Sequence, residues 1–112
     1  MKASLILAAG GLSATLLSVP VQALDAAAAE ALAKKEGCLK CHAVDKKKDA
    51  ISLKDIARKH AGKADGEAKI LAQITTGQKV KLEDGTEEEH KTVKSKDQAA
   101  VSNMIQWILS LK

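Results

Sequence analysis

The chain has 112 residues, a formal net charge of +4, two cysteines, one tryptophan, and neither phenylalanine nor tyrosine. A chain of this length forms one domain with a modest core, and so few aromatic side chains leave that core poorly filled. The positive charge is too small to indicate a nucleic-acid-binding protein. We therefore expect a non-protein group to supply part of the core.

Residues 1–23 are predicted to be a cleaved signal peptide. They comprise a short basic start, an apolar run from Ala3 to Val19, and a small-residue cleavage site at Val21-Gln22-Ala23. The alternative is a retained membrane anchor, but the apolar run is at the lower limit for a span and ends at Pro20. Cleavage leaves residues 24–112, which are 89 residues with 17 basic and 14 acidic side chains, in the periplasm.

The first helix is predicted from Asp25 to Glu36. Asp25 suits the N-cap, the alanine-rich run that follows has high helix propensity, and Lys34 and Lys35 suit the last turn. Gly37 suits the position after the helix, where a left-handed residue commonly ends it. This helix leads directly into the two cysteines.

The five residues Cys38-Leu39-Lys40-Cys41-His42 have the C-x-x-C-H spacing that attaches a c-type haem. Two thiols about one helical turn apart can form thioethers with the two vinyl groups of the macrocycle. His42 then lies beneath the iron as its first axial ligand, and its second ring nitrogen normally donates to a backbone carbonyl. The sequence thus predicts one covalently bound haem c, with iron.

Three other interpretations of the cysteines are weaker. A zinc site using Cys38, Cys41, His60 and His90 does not match the usual ligand spacings. A thioredoxin-like redox pair requires a βαβ context that is absent here. A disulfide between residues three apart closes too short a loop to stabilise the chain appreciably.

Three more helices are predicted after the motif. Ser52 caps the second, and the third runs from about Asp65 to Thr75. The last runs from about Lys96 to Leu111, with Trp107 on the flank of its apolar stripe. The residues expected to face the core are Ala68, Ile70, Leu71 and Ile74 in the third helix, and Val101, Met104, Ile105 and Ile108 in the last. The stretch from Gln78 to Lys94 is the least regular, with at most a brief strand at Val80–Leu82.

The second axial ligand of the iron is predicted to be His90. It lies in the long loop before the last helix, which is free to fold over the far face of the haem. Met104 lies on a packed stripe, where methionine is more often core filler than a ligand, and His60 lies at a basic helix end. The alternative to His90 is an open or exchangeable iron site.

These features together resemble the class I c-type cytochromes of bacteria. The resemblance covers the whole mature chain: the first helix, the C-x-x-C-H motif, residues 51–57, residues 60–63 and the closing helix with Trp107. It implies an all-α, cytochrome c-like fold of about four helices packed around one covalently bound haem, with the first and last helices crossing beside it. The methionine usual in the family would fall close to His90, so the resemblance suggests His/His ligation. Ile51 stands where the family usually has a proline, and the carbonyl partner of His42 is left unassigned.

The function that follows is electron transfer by a small, monomeric periplasmic protein that is not an enzyme. Its partners would be periplasmic redox proteins, with membrane contact at most transient. Lys40 and Lys46, Lys47 and Lys48 could form a positive rim for an acidic partner, or only a solvated surface. The alternatives are a haem protein that binds or senses a small gas at a labile distal site, and a haem subunit of a larger periplasmic oxidoreductase.

Overall fold

The computed structural model describes residues 9–15 and 23–112, so most of the predicted signal peptide, residues 1–23, lies outside the described residues and stays a prediction. In these ranges the elements are α1 (Ala26–Lys35), α2 (Cys38–Cys41), α3 (Leu53–His60), α4 (Gly66–Thr76), β1 (Lys79–Lys81), β2 (Glu87–Glu89) and α5 (Gln98–Ser110). None of the helices described is both long enough and apolar enough to cross a bilayer.

The helix boundaries are set by capping residues. The Asp25 carboxylate accepts a hydrogen bond from the backbone N–H of Ala28, and the Ser52 hydroxyl accepts one from the N–H of Asp55, both at 3.0 Å. These bonds confirm the two predicted N-caps. Gly37 follows α1 with φ +80°, and Gly77 ends α4 with φ +64°, a backbone region in which a Cβ would be strained. The three helices with predicted ends, α1, α4 and α5, thus begin and end within two residues of those positions, and α3 begins directly after its predicted cap.

The core is built mainly on the contact between α1 and α5, the most extensive in the fold. The N-cap of α1 is tied to the middle of α5 by a reciprocal pair: Asn103 Oδ1 accepts from the Asp25 N–H at 3.0 Å, and Asn103 Nδ2 donates to the Asp25 carbonyl at 2.8 Å. The packing of the first against the last helix agrees with the expected fold. Its buried apolar residues are Ala29, Ala33, Leu53, Ile70, Ile74, Val101, Met104, Ile105, Trp107 and Ile108.

Two predictions about the core were wrong. Leu71 is 43% exposed and Ala68 is exposed, because α4 buries the row Gly66, Ile70 and Ile74, whose spacing of four keeps them on one face. Trp107, expected on the flank of its helix, is only 6% exposed and belongs to the core. The chain's one aromatic side chain is therefore used in the core.

The stretch from Gln78 to Lys94, expected to be almost irregular, contains a β-hairpin. Strands β1 and β2 are antiparallel, in the register Lys79 with Glu89, Val80 with Glu88 and Lys81 with Glu87. Opposite charges therefore face each other across two of the three pairs, which stabilises the register. Asp84-Gly85 makes the turn, with Gly85 at φ +87° and the Asp84 carboxylate accepting from the N–H and hydroxyl of Thr86.

Candidate haem site

The two cysteines are presented by α2, a single helical turn. The left-handed Gly37 redirects the chain after α1, so that α2 begins three residues beyond the end of α1. Cys38 and Cys41 are both partly buried free thiols, and both line the same cavity. Their positions suit the formation of two thioethers with one macrocycle.

His42 is oriented by a loop that folds back under it. The Ala50 N–H donates to the Cys41 carbonyl at 3.0 Å, and the Leu53 N–H donates to the Ala43 carbonyl at 2.9 Å. This brings the Ile51 carbonyl oxygen to 2.6 Å from His42 Nδ1. A carbonyl can only accept, so Nδ1 carries the proton and the lone pair of Nε2 is left for a metal. Ile51 thus supplies the carbonyl partner that the sequence left unassigned.

Electrostatics at this position favour neutral groups. Burial lowers the pKa of His42, the hydrogen bond to Ile51 opposes this, and the nearby His90 lowers it further. Burial also raises the pKa of the Cys38 thiol, with a smaller contribution in the same direction from Glu36. Neutral imidazole is the form that ligates iron, so burial prepares His42 for that role.

His90 lies opposite His42. Its backbone N–H donates to the Gln78 carbonyl at 2.9 Å, and its Nδ1 lies 2.8 Å from the Lys91 carbonyl oxygen. As in His42, a carbonyl can only accept, so the ring proton lies on Nδ1 and the lone pair is on Nε2. The two ring centroids are 6.2 Å apart, with an angle of 41° between the planes. An iron held between two imidazoles, roughly 2 Å from each ligating nitrogen, separates the centroids by roughly 6 Å, so the spacing fits one iron.

Both rings border one cavity of about 660 Å³, a size typical of small-molecule and cofactor sites. The wall contains the two cysteines and the two histidines together with residues from α3, α4, the hairpin and α5. Its apolar side chains include Ile51, Leu53, Ile56, Ile70, Ile74, Val80, Leu82, Val93, Met104 and Ile108. A largely apolar wall with convergent thiols and imidazoles is the donor set that a covalently bound haem requires, so the residues present fit the group.

The remaining candidate ligands occupy other positions. Met104 is fully buried in the core cluster while also contacting the cavity. His60, expected on a solvated surface, is instead half-buried at the cavity border beside Lys59. Among the described residues no three His, Cys, Asp or Glu side chains gather closely enough to hold a metal unaided. A zinc site therefore lacks its ligand cluster, whereas an iron already held by porphyrin nitrogens needs only two protein ligands.

The loop with Lys46, Lys47 and Lys48, after the motif, makes contacts with the rest of the molecule. Lys47 Nζ lies 3.5 Å from a carboxylate oxygen of Glu83 on the hairpin, and Lys48 Nζ donates to the Leu39 carbonyl at 3.3 Å. The Asp49 carbonyl also accepts from the Glu83 N–H at 3.0 Å. The loop therefore fastens the hairpin to the motif, and part of its charge is used within the molecule.

One residue at the site could not be found from the sequence. Glu36 borders the cavity, and its carboxylate oxygens accept from the backbone N–H groups of Lys94 and Ser95 at 2.8 and 3.1 Å. The partners are 58 and 59 residues away and donate through backbone groups, so no side-chain pattern marks the pairing.

An α-helical domain whose C-x-x-C-H motif and second histidine converge on one apolar cavity has the architecture of a class I c-type cytochrome. The family described as "Cytochrome c" matches residues 26–112. The cytochrome c2 of Rhodocyclus tenuis is 34% identical over 83 residues, which cover 73% of this chain and 90% of that protein.

Solved structures agree with this assignment. The class 1 cytochrome MtoD of Sideroxydans lithotrophicus ES-1 shares 50% identity, with a TM-score of 0.75 over 80% of this chain and 98% of its own. The cytochrome c552 of Nitrosomonas europaea shares 31% identity, with a TM-score of 0.57 over 74% of this chain and 99% of its own. The chain belongs to the cytochrome c family, whose members are electron carriers with covalently bound haem c, and haem c is its cofactor.

Proposed function

We propose that this protein is a monomeric periplasmic electron carrier in which Cys38 and Cys41 bind one haem c and His42 and His90 ligate its iron. Residues 1–23 would be removed on export, leaving residues 24–112 as the monohaem domain. Its partners would be other redox proteins of the periplasm.

The observation that carries the ligand assignment is the matched pair of imidazoles. Each ring has its Nδ1 engaged by a backbone carbonyl, at 2.6 Å for His42 and 2.8 Å for His90, and the centroids are 6.2 Å apart across the cavity. Two rings with the same tautomer and a spacing that fits one iron support His/His ligation.

The haem supplies a one-electron ferric/ferrous couple when bound. The chain's own residues hold the axial imidazoles in fixed orientations and surround the site with apolar side chains. Imidazole in place of a thioether lowers the potential relative to a His/Met carrier. Small, electrostatically guided contacts at the exposed edge would then serve for partner encounter.

The ligand assignment is tested on purified holoprotein by replacing His90. His90→Ala should open the iron to exogenous imidazole and change the ferric paramagnetic-resonance spectrum, whereas His90→Met should raise the potential. His60→Ala is the matched control, because His60 borders the same cavity, and it should change neither spectrum nor potential.

Two results would contradict the assignment. One is a His90→Ala protein that still shows two nitrogen ligands in its ferric spectrum. The other is a wild-type spectrum with the sulfur-to-iron band of a methionine ligand.

Export and oligomeric state are tested together. The holoprotein from the periplasmic fraction should begin at Leu24 by intact mass and elute as a monomer on size exclusion. A mass that retains residues 1–23 would indicate an uncleaved anchor, and co-elution with a larger complex would favour the oxidoreductase subunit.

A second candidate, a haem protein that binds a small gas, has one observation in its favour. Among the described residues, none of residues 78–97, which carry His90, is buried. A distal ligand on such a segment can detach more easily than one fixed in the core. Adding carbon monoxide to the ferrous protein distinguishes the two candidate functions. An immediate spectral shift supports gas binding, and an unchanged spectrum supports the electron carrier.

A further inference from the structure

The segment that carries His90 to the haem is attached to the rest of the protein chiefly through its backbone. Residues 90–97, which we call the strap, lie in neither helix nor strand, and none of them is buried. Its one apolar side chain, Val93, is only partly buried against the core, so the position of the strap depends mainly on hydrogen bonds.

Besides Asp97, which caps α5, three ties hold the strap to other elements. The His90 N–H donates to the Gln78 carbonyl at 2.9 Å, and the Val93 N–H donates to the Ile74 carbonyl at 2.8 Å. The third tie is the Glu36 carboxylate, whose Oε2 accepts from the Lys94 N–H at 2.8 Å and whose Oε1 accepts from the Ser95 N–H at 3.1 Å. Within the part of the chain that the structure describes, Glu36 is the one residue outside the strap whose side chain forms a hydrogen bond to it.

The Glu36 tie has the features of a strong interaction. An ionised carboxylate has two oxygens that accept only, and it binds two successive backbone N–H groups of the strap. Charge-assisted hydrogen bonds of this kind are shorter and stronger than neutral ones. At Lys94 and Ser95 the strap is thus attached by hydrogen bonds, where its polar side chains provide little packing.

Glu36 also lies close to the site where the haem is bound. It is the C-cap residue of α1, two positions before Cys38, and it borders the haem cavity. The same short stretch of chain therefore fixes the cysteine that attaches the macrocycle and the strap that bears the opposite imidazole.

We propose that Glu36 is a positioning residue: its carboxylate holds the strap against the end of α1 and thereby keeps His90 at the iron. This inference rests on the proposed function, in which His90 is the distal ligand. It assigns to one side chain the control of how readily the distal position opens.

The experiment compares Glu36→Ala and Glu36→Gln with a matched carboxylate elsewhere. Glu36→Ala removes both acceptors, whereas Glu36→Gln keeps one acceptor oxygen and guards against a failure of Glu36→Ala to fold. Glu67→Gln is the control, since Glu67 also accepts two hydrogen bonds, from Ser102 at 3.2 Å and Gln106 at 2.8 Å, but these bonds join α4 to α5 and not to the strap.

Two measurements are made on each holoprotein. The affinity of the ferric form for exogenous imidazole should rise roughly tenfold or more in Glu36→Ala, less in Glu36→Gln, and not in Glu67→Gln. Amide exchange in the diamagnetic ferrous form should accelerate at His90, Val93, Lys94 and Ser95 in the Glu36 variants, while the amides of α5 keep their protection.

The outcomes separate this inference from the proposed function. Unchanged exchange in the strap, or faster exchange without a change in imidazole affinity, would overturn the role of Glu36 if His90→Ala opens the iron as expected. If His90→Ala leaves the ferric spectrum as in wild type, the ligand assignment itself fails, and the role of Glu36 fails with it. An equal gain in imidazole affinity in Glu67→Gln would also overturn it, because the effect would then be general loosening.

Discussion

The two sides of the haem site are held by different means. The five helices α1 to α5, which we call the helical framework, provide nearly all the buried side chains. The His42 ring is held against this framework by its hydrogen bond to the Ile51 carbonyl, in the loop between α2 and α3. Residues 78–97, the distal segment, carry His90 but are nowhere buried among the residues described. The distal segment contains a hairpin with paired charges, and backbone hydrogen bonds attach it to the rest of the protein.

With His42 and His90 as the proposed ligands, this difference would let a small cytochrome fix one ligand and adjust the other. The positions of the framework helices are fixed by packing, because their apolar side chains interdigitate in one core. Hydrogen bonds to a polar segment can be strengthened or weakened singly without disturbing that core. We therefore expect substitutions in the framework to change stability, and substitutions in the distal segment to change ligation.

The largest effect should follow the double substitution Cys38→Ala, Cys41→Ala. Without either thioether the haem should be lost on acid-acetone extraction, and a cavity of about 660 Å³ would remain inside a domain of this size. We expect such a protein to lose cooperative thermal unfolding, measured by circular dichroism. Each single variant should retain haem through one thioether. Haem retained by the double variant, or cooperative unfolding of the haem-free chain, would contradict this prediction.

The next largest effect should come from Met104 in the framework. Met104→Ala should lower the free energy of unfolding of the holoprotein by about 2–5 kcal/mol, because the side chain is fully buried. Val93→Ala in the distal segment should cost roughly 1 kcal/mol, since Val93 is only half-buried. Urea denaturation measures both.

Met104→Leu serves as the control for ligation. It conserves volume, so it should cost less than about 1.5 kcal/mol and leave the ferric spectrum unchanged. Loss of a sulfur-to-iron band in this variant would show that Met104, rather than His90, binds the iron.

The framework was largely predictable from the sequence, because its determinants are local. Asp25 and Ser52 each cap the helix that follows within three residues, and Gly37 and Gly77 end helices where a left-handed residue is needed. The C-x-x-C-H spacing likewise specifies its one-turn helix from five consecutive residues. Leu71 was misassigned because an apolar residue in a helix does not reveal which of two adjacent faces is packed.

The distal segment was much less predictable, because its partners are distant in the chain. Asp84-Gly85 and the alternating charges around it could have indicated a hairpin, but not its register. Neither the Glu36 tie nor the Ile51 carbonyl has a side-chain signature, since backbone groups form one side of each bond. Position within the loop made His90 the candidate ligand, but it did not indicate what holds His90 in place.

A smaller effect is expected on docking. Lys47 is engaged with Glu83, so its charge is partly compensated, whereas Lys40 and Lys46 are exposed. Replacing Lys40 and Lys46 with Gln should weaken the ionic-strength dependence of oxidation by the anion ferricyanide, because salt screens such attraction beyond roughly 8 Å at physiological ionic strength. Lys47→Gln should change it less. The same dependence in all variants would reduce these lysines to a solubilising role.

The smallest effect should be a pH dependence of stability at His60, on the border between the two regions. Burial lowers the pKa of His60, and Lys59, Lys63 and Lys69 lower it further, against an opposing effect of Asp65. The folded-state pKa then lies below that of the unfolded chain, so the unfolded chain binds more protons as the pH falls. His60 should therefore make the protein less stable between about pH 7 and pH 5 than a residue that does not titrate.

His60→Gln isolates this contribution. The free energy of unfolding of the holoprotein, measured by urea at several pH values, should decrease less on acidification in the variant than in wild type. Asp65 does not interfere, because its pKa is lowered by Lys69 and its own contribution is lost only at more acidic pH. Lys69→Gln should weaken the pH dependence in the same direction, since it removes one of the charges that repel the protonated ring. Identical pH profiles for wild type and His60→Gln would mean that the half-buried ring binds its proton as readily in the folded chain as in the unfolded one.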